Sequence, residues 1–294
     1  EQRAVESMTA TVRAMLVDLK KKMRRKKVIE KNDYQAVDKL TMSRVGELRQ
    51  ALDLALAESV MMGASDALTE LRKATERAGV ITVVNYIMRF NPGYLRIREL
   101  VANGELGDLL SVSHAKTRGF GLYASGARHR AIVEPEESGG WTVHHACHDL
   151  DFLYWIGGPI RRVSGLAAST VPHVQSEEVA LGHVEFESGA IGSVADSVCG
   201  IRDHTTLIIG SRGSIAMTGE NEHTVARFRR EGADHDEILP IEDRKRPGNG
   251  LDHFFDCLRE GRRSANSLRD ARPSLAAALA LRESMRTGSS VTPG

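Results

Sequence analysis

The sequence predicts a mixed α/β (α+β) fold in two parts, residues 1–91 and 92–294. Three observations carry that reading. The first part is rich in helical spacing and holds little strand. From about residue 108 a series of short strand-like segments alternates with glycine-bearing turns. The chain then closes on two helical segments. Hairpin spacing of this kind implies an open, mostly antiparallel β-sheet with helices on one face, so the whole is a composite rather than a simple alternating βα chain.

Residues 1–31 read as helix, with Val12, Met15, Leu16 and Leu19 at helical spacing. The basic run Lys20 to Lys27 reads as a solvated helix end, where cations favour the C-terminal dipole and no aromatic residues are interleaved. A further helix fits residues 45–79, with Ser65 as an N-cap after a break and Gly79 as a stop. "VITVVNYIM", Val80 to Met88, reads as a short strand, and "NPGYLRIRELVANGELG" restarts a helix with Pro92 in its first turn and Gly104 closing it. The segments "LLSVSHAKTRGF", "IRRVSGLAAST", "SEEVALGHVEFESG", "AIGSVADSVCG", "DHTTLIIGSRGSIAMTG" and "TVARFRREG" follow as strands. "GLDHFFDCLREG" and "DARPSLAAALALRESMRTG" end the chain as helices.

Composition narrows the function classes. Forty basic residues nearly cancel thirty-nine acidic ones, giving a net charge of +1, which offers no global reason to expect nucleic acid or a membrane as partner. Cys147, Cys199 and Cys257 are odd in number and far apart, which argues against a disulfide framework and fits a reducing cytoplasm. No apolar run approaches the roughly 20 residues that span a bilayer, and the first residues lack the apolar core of a signal peptide.

The chemistry concentrates in "GGWTVHHACHDLDFLYWIGG", Gly139 to Gly158, which reads as a helix after a Gly-Gly pair. At helical spacing His144, His148 and Asp151 share one face, and His145, Asp149 and Phe152 form the neighbouring stripe. Three readings stand. His148 with His144 suits acid/base work on a substrate hydroxyl, because imidazole titrates near neutral pH. His144, His148 and Asp151 are also a legitimate donor set for a divalent metal. Finally, the histidines can simply be satisfied residues of a buried helix. Arg89 is a candidate for anion binding, Tyr86 and Trp141 for stacking on a sugar ring, and Cys147 reads as a small apolar residue.

"ERAGVITVVNYIMRFNPGY", "IRELVANGELGDLLSV", "GGWTVHHACHDLDFLYWIGGP", "IIGSRGSIAMTG" and "SLAAALALRESMRTGSSV" occur in one order over about residues 58–294. This order resembles the glucose–fructose oxidoreductase and inositol dehydrogenase (Gfo/Idh/MocA) family. The resemblance implies a dinucleotide-binding N-terminal domain, here an incomplete Rossmann-like one over 1–91, and a substrate and oligomerisation domain over 92–294. It implies an NAD(P)-dependent oxidoreductase that moves a hydride between nicotinamide and a sugar or cyclic polyol hydroxyl, with either NAD or NADP as cofactor and no resident metal. It further implies homo-oligomers formed through the open sheet face. His148 then falls on the family histidine and His144 on a position that is usually aspartate. The family's Glu-Lys-Pro motif falls on Glu58, Ser59 and Val60, making Glu58 and Ser59 the cofactor-side candidates. Arg89, Tyr86, Trp141 and Asp151 fall at the substrate pocket. The first 57 residues hold one glycine, Gly46, so the G-x-G-x-x-G turn that cradles a pyrophosphate has no counterpart there. The alternatives kept beside this reading are a sugar-binding or scaffolding relative without catalysis, and a metal-dependent enzyme using the His144, His148 and Asp151 face.

Overall fold

The computed structural model describes residues 64–118, 140–169, 176–219, 224–239 and 250–294. Glu58, Ser59 and the helix expected over 1–31 lie outside the described residues. The chain divides into two units, residues 1–80 and 81–294.

Of the first unit the described part is helix α1, Ala64–Arg77. It starts before Ser65, so that serine lies in the first turn rather than capping it. The Gly79 stop is as expected: its φ of 62° is open to glycine and strained for other residues, and its N–H donates to Glu76.

The second unit opens with a correction. Residues 81–86 form no strand. They are tied instead to the start of the last helix and the loop before it: Val84 N–H donates to Asn266 O at 2.7 Å, and the Thr82 hydroxyl accepts from Leu268 N–H at 3.3 Å. A segment whose donors and acceptors are taken by a loop has no ladder to join. A 3₁₀ turn, Ile87–Phe90, leads into helix α2, Pro92–Ala102, whose N-cap is Asn91, accepting from Gly93 N–H at 2.9 Å.

The expected strands are present: β1, Leu109–Thr117; β2, Ile160–Ala168; β3, Val179–Phe186; β4, Ile191–Ser197; β5, Asp203–Gly210; β6, Gly213–Thr218; β7, Val225–Arg230. A short β8, Glu237–Leu239, joins the edge beyond β7. The sheet order is β2-β3-β4-β1-β5-β6-β7-β8, antiparallel except for the central β1/β4 pair, which is parallel. Between β1 and β2 lies helix α3, Cys147–Gly157, and the chain ends with α4, Gly250–Glu260, and α5, Leu268–Thr287.

The core lies on one face of the sheet, where Val112, Val184, Phe186, Val194 and Ile208 meet Ile97 and Leu100 of α2, Leu150, Phe152 and Leu153 of α3, and Leu281 of α5. Two glycines let α5 approach the backbone closely. Gly165 and Gly182 face one another across β2/β3, and a Cβ on either would stand 2.3 or 2.9 Å from Leu281 Cδ1. On the opposite face the register lines up Leu166, Leu181, Ile191, Leu207, Ile209 and Ile238, all between 37% and 72% exposed.

Candidate active site

The histidine-rich stretch does not start as an ordinary α-helix. Thr142–Ala146 is a single π turn, and α3 follows it. Gly140, with φ 78°, permits the sharp entry, where a Cβ would sit 3.2 Å from Ser176 Oγ and Glu177 Oε2. That neighbouring loop holds the turn: Trp141 N–H donates to Ser176 Oγ at 2.8 Å, and the Thr142 N–H and hydroxyl both donate to Glu177.

An i→i+5 turn adds a residue relative to α spacing, so side chains before and after it change face. This overturns the grouping expected from helical spacing. His144 is exposed, its ring 6.4 Å from that of Trp141. Asp151 is fully buried, bound bidentately by Arg89 at 2.8 and 2.8 Å and accepting from Ser274 Oγ at 2.7 Å. His144, His148 and Asp151 therefore do not converge on a metal. Arg89 and Asp151 are joined to each other, with the guanidinium 5.7 Å over the Trp155 ring. Burial raises the Asp151 carboxyl, against the pull of Arg89 and Ser274. Trp141 is buried and stacked on His145, with centroids 4.4 Å apart and planes 9° apart, so that face of its indole is taken.

His148 and Tyr86 do come together, edge to face at 5.6 Å. His148 Nδ1 is buried and has no hydrogen-bond partner. Burial, with Lys116 next, lowers its pKa from 6.5 to about 4, so the ring is neutral at pH 7 and can accept a proton. Burial also pushes the Tyr86 phenol upward, keeping it a neutral donor. Burial and the nearby aspartates push the Cys147 thiol up to about 12, which makes it inert as a nucleophile.

The structure adds a group that helical spacing left unassigned. Beneath α3, strands β1 and β4 present His114, Lys116 and Asp196, all buried, to Asp149 and His145. The alternation of "LLSVSHAKT" held the signal: the buried parity of Val112 continues into His114 and Lys116. His145 is pinned at both nitrogens. Arg118 contacts Nε2, and Nδ1 lies 2.5 Å from Asp196 Oδ2. A guanidinium only donates, so Nε2 accepts and neutral His145 carries its proton on Nδ1, facing Asp196. Burial foremost, then Lys116, lowers its pKa to about 2. The donor atoms of His145, Asp149 and Asp196 lie within 4.8 Å of one another. They are metal-ligand types, but the protonated Nδ1 and the Lys116 ammonium, 3.5 Å from Asp149, already fill the place of a cation.

The comparisons with known proteins bear on the fold and its family. Residues 94–216 match the sequence profile of the GFO/IDH/MocA C-terminal domain. This region is a Gfo/Idh/MocA domain. Two curated relatives are similar to the chain. A scyllo-inositol 2-dehydrogenase (NAD(+)) of Bacillus subtilis (strain 168) is 28% identical across 76% of this chain and 66% of its own length. A 2,7-anhydro-N-acetylneuraminate hydratase of Escherichia coli (strain K12) is 27% identical across 50% of this chain and 40% of its own. The chain thus spans two thirds or less of the curated relatives it matches. Among solved structures, a levoglucosan dehydrogenase in complex with NADH superposes with a TM-score of 0.67 at 18% identity, covering 78% of this chain and 70% of that one. That likeness is one of fold. Among the described residues no glycine turn opens a helix in the manner of a pyrophosphate cradle. No helix among the described residues is long and apolar enough to cross a membrane.

Proposed function

We propose that this Gfo/Idh/MocA domain holds the acid/base site of an oxidoreductase acting on a hydroxyl of a sugar or cyclic polyol, with His148 as the group that takes the hydroxyl proton. The observation that carries the reading is the His148 ring: neutral at pH 7, with a buried unpartnered Nδ1, and set edge-on to the neutral phenol of Tyr86. A neutral imidazole accepts the proton as the carbon loses hydride, and a positioned base of this kind typically contributes 10²–10⁴-fold. The relatives' names carry NAD(+) and NADH, and a nicotinamide cofactor, NAD or NADP, would supply the hydride chemistry here. Glu58 and Ser59 stay the cofactor-side candidates. His144 serves as a polar neighbour at the exposed rim, and Arg89 with Asp151 braces the floor beneath the substrate rather than reaching it.

Homo-oligomers fit the same reading. Leu166, Leu181, Ile191, Leu207, Ile209 and Ile238 share one open sheet face, which a second copy would cover.

The test is binding followed by turnover. Thermal shift and tryptophan fluorescence with NAD(H) and NADP(H) are measured first. Reduction of the bound nucleotide is then followed at 340 nm with scyllo-inositol, myo-inositol and levoglucosan. Nucleotide binding and turnover of one polyol support the reading. Polyol binding with no nucleotide binding would establish a sugar-binding relative instead.

A further inference from the structure

One end of the core face is charged where the rest is apolar. Along β1 the buried row runs Val112, His114, Lys116; along β4 it runs Val194, Asp196; along β5 Ile208, Thr206. Register places Lys116 beside Asp196 and His114 beside Thr206. Asp149 descends from α3 into this end, fully buried, its Oδ1 3.3 Å from His114 Nε2 and 3.5 Å from Lys116 Nζ. His114 Nδ1 meets Thr206 Oγ1 at 2.9 Å. Asp196 Oδ2 meets His145 Nδ1 at 2.5 Å. Each carboxyl then has one oxygen left over, Asp149 Oδ2 and Asp196 Oδ1, buried and without a partner. Two adjacent buried carboxyls, each with an orphan oxygen, are satisfied together by a single proton between them.

We infer that Asp149 and Asp196 share one proton and that this pair, locked to His145, is a positioning device for His148. The role for His148 rests on the function proposed above; the shared proton does not. Asp149 follows His148 directly, so anchoring Asp149 to β1 and β4 fixes the first turn of α3 and the imidazole it carries. Asp196 holds the proton and accepts from His145 Nδ1. His145 in turn fills the space between Trp141 and His148, its ring 6.0 Å from the latter. The directions of titration agree. Burial first, then the charge of Asp149, drives Asp196 well above the carboxylate range. Burial acts on Asp149 too, but Lys116 and His114 outweigh it and hold that group well below the range. The groups facing the pair are His114, Lys116 and Arg118 from β1 and its end, His204 and Thr206 from β5, Tyr94 from α2, His145 from the π turn, and Cys147 and His148 from α3.

Two variants of the full chain test this, D196N and D196A. The asparagine amide puts an N–H where the shared proton lies; alanine removes both the proton and the acceptor for His145. D196N is expected to keep the wild-type melting temperature at neutral pH and to keep His145 as the neutral Nδ1–H tautomer in ¹⁵N imidazole spectra. D196A is expected to melt several degrees lower and to lose about tenfold or more in kcat with little change in KM, which D196N restores. Wild type loses stability as rising pH ionises Asp196, and D196N does not. A D196N as damaged as D196A, or a wild-type His145 that titrates near pH 6.5, overturns the inference. Should D196A fail to fold, the pH dependence of wild type against D196N still decides it. Should no form turn over a polyol, the spectra and melting data decide the shared proton, and only the proposed function falls.

Discussion

His148 and His145 are the titratable side chains whose state sets the behaviour of this site. Both are held neutral, at about 4 and about 2 against an ordinary 6.5, with burial the largest cause. The folded protein therefore binds fewer protons than the unfolded chain below pH 6.5. Their stabilising contribution is complete above that pH and falls as pH drops through the folded values. For His148 alone, a drop from 6.5 to about 4 corresponds to up to about 3 kcal/mol. Denaturant melts between pH 7 and 4 should show a steady loss of stability, with less loss in H148N. Arg89 gives a second expectation. Arg89→Met would leave Asp151 fully buried with Ser274 alone, which costs about 3–5 kcal/mol and shows as a large drop in denaturation midpoint. At this scale the sequence singled out the helix that carries His148 and Asp151, and the structure sets Tyr86 against the first and Arg89 against the second. It did not show that Arg89 and Asp151 pair with each other, nor that His145 rather than His144 turns inward. Residues 62 apart meet only through the fold, and the inward turn depends on a local backbone register that side-chain spacing does not encode.

The π turn is the element that decides which histidine faces which way. Straight α periodicity put His144, His148 and Asp151 on one face; the five residues of i→i+5 winding set His144 apart from the other two, which both lie in α3. A similar override removed the expected strand before α2, where the apolar run was legible but its bonding partner, the loop at Asn266, lay at the far end of the chain. The sheet strands were legible because their alternation and glycine turns are local signals. The parallel β1/β4 pairing was not, since it joins strands about 80 residues apart. The close packing of α5 on β2 and β3 supplies a test of the layer geometry. Gly165→Val places its Cβ 2.3 Å from Leu281 Cδ1 and 2.8 Å from the Leu181 carbonyl oxygen. Overpacking of this kind costs about 1–3 kcal/mol or more, read as a lower melting temperature. An unchanged melt would mean that α5 does not lie against those strands.

At the scale of the whole molecule, among the described residues helices cover one face of the sheet, and the other presents an aliphatic patch flanked by His183, Glu185, Arg227 and Arg229. The cross-strand register carries Leu181, Ile191, Leu207 and Ile209 together across the open face, with Ser113, Ser193, Ala115 and Ala195 between them. Small and aliphatic side chains on a broad sheet suit packing against a second sheet. Light scattering after size exclusion should report an oligomer for the wild type and smaller species for Leu207→Arg, whose charge would be buried in the interface. A wild-type monomer would remove that expectation. The covered face carries the histidine cluster on which the proposed function rests, that His148 serves as the proton acceptor for a polyol hydroxyl. The most direct measurement is the rate of nicotinamide reduction at 340 nm with a cyclic polyol, wild type against H148N. The prediction is turnover by wild type and a loss of about 10²-fold or more in kcat for H148N, with KM little changed. Equal rates for the two proteins would contradict it.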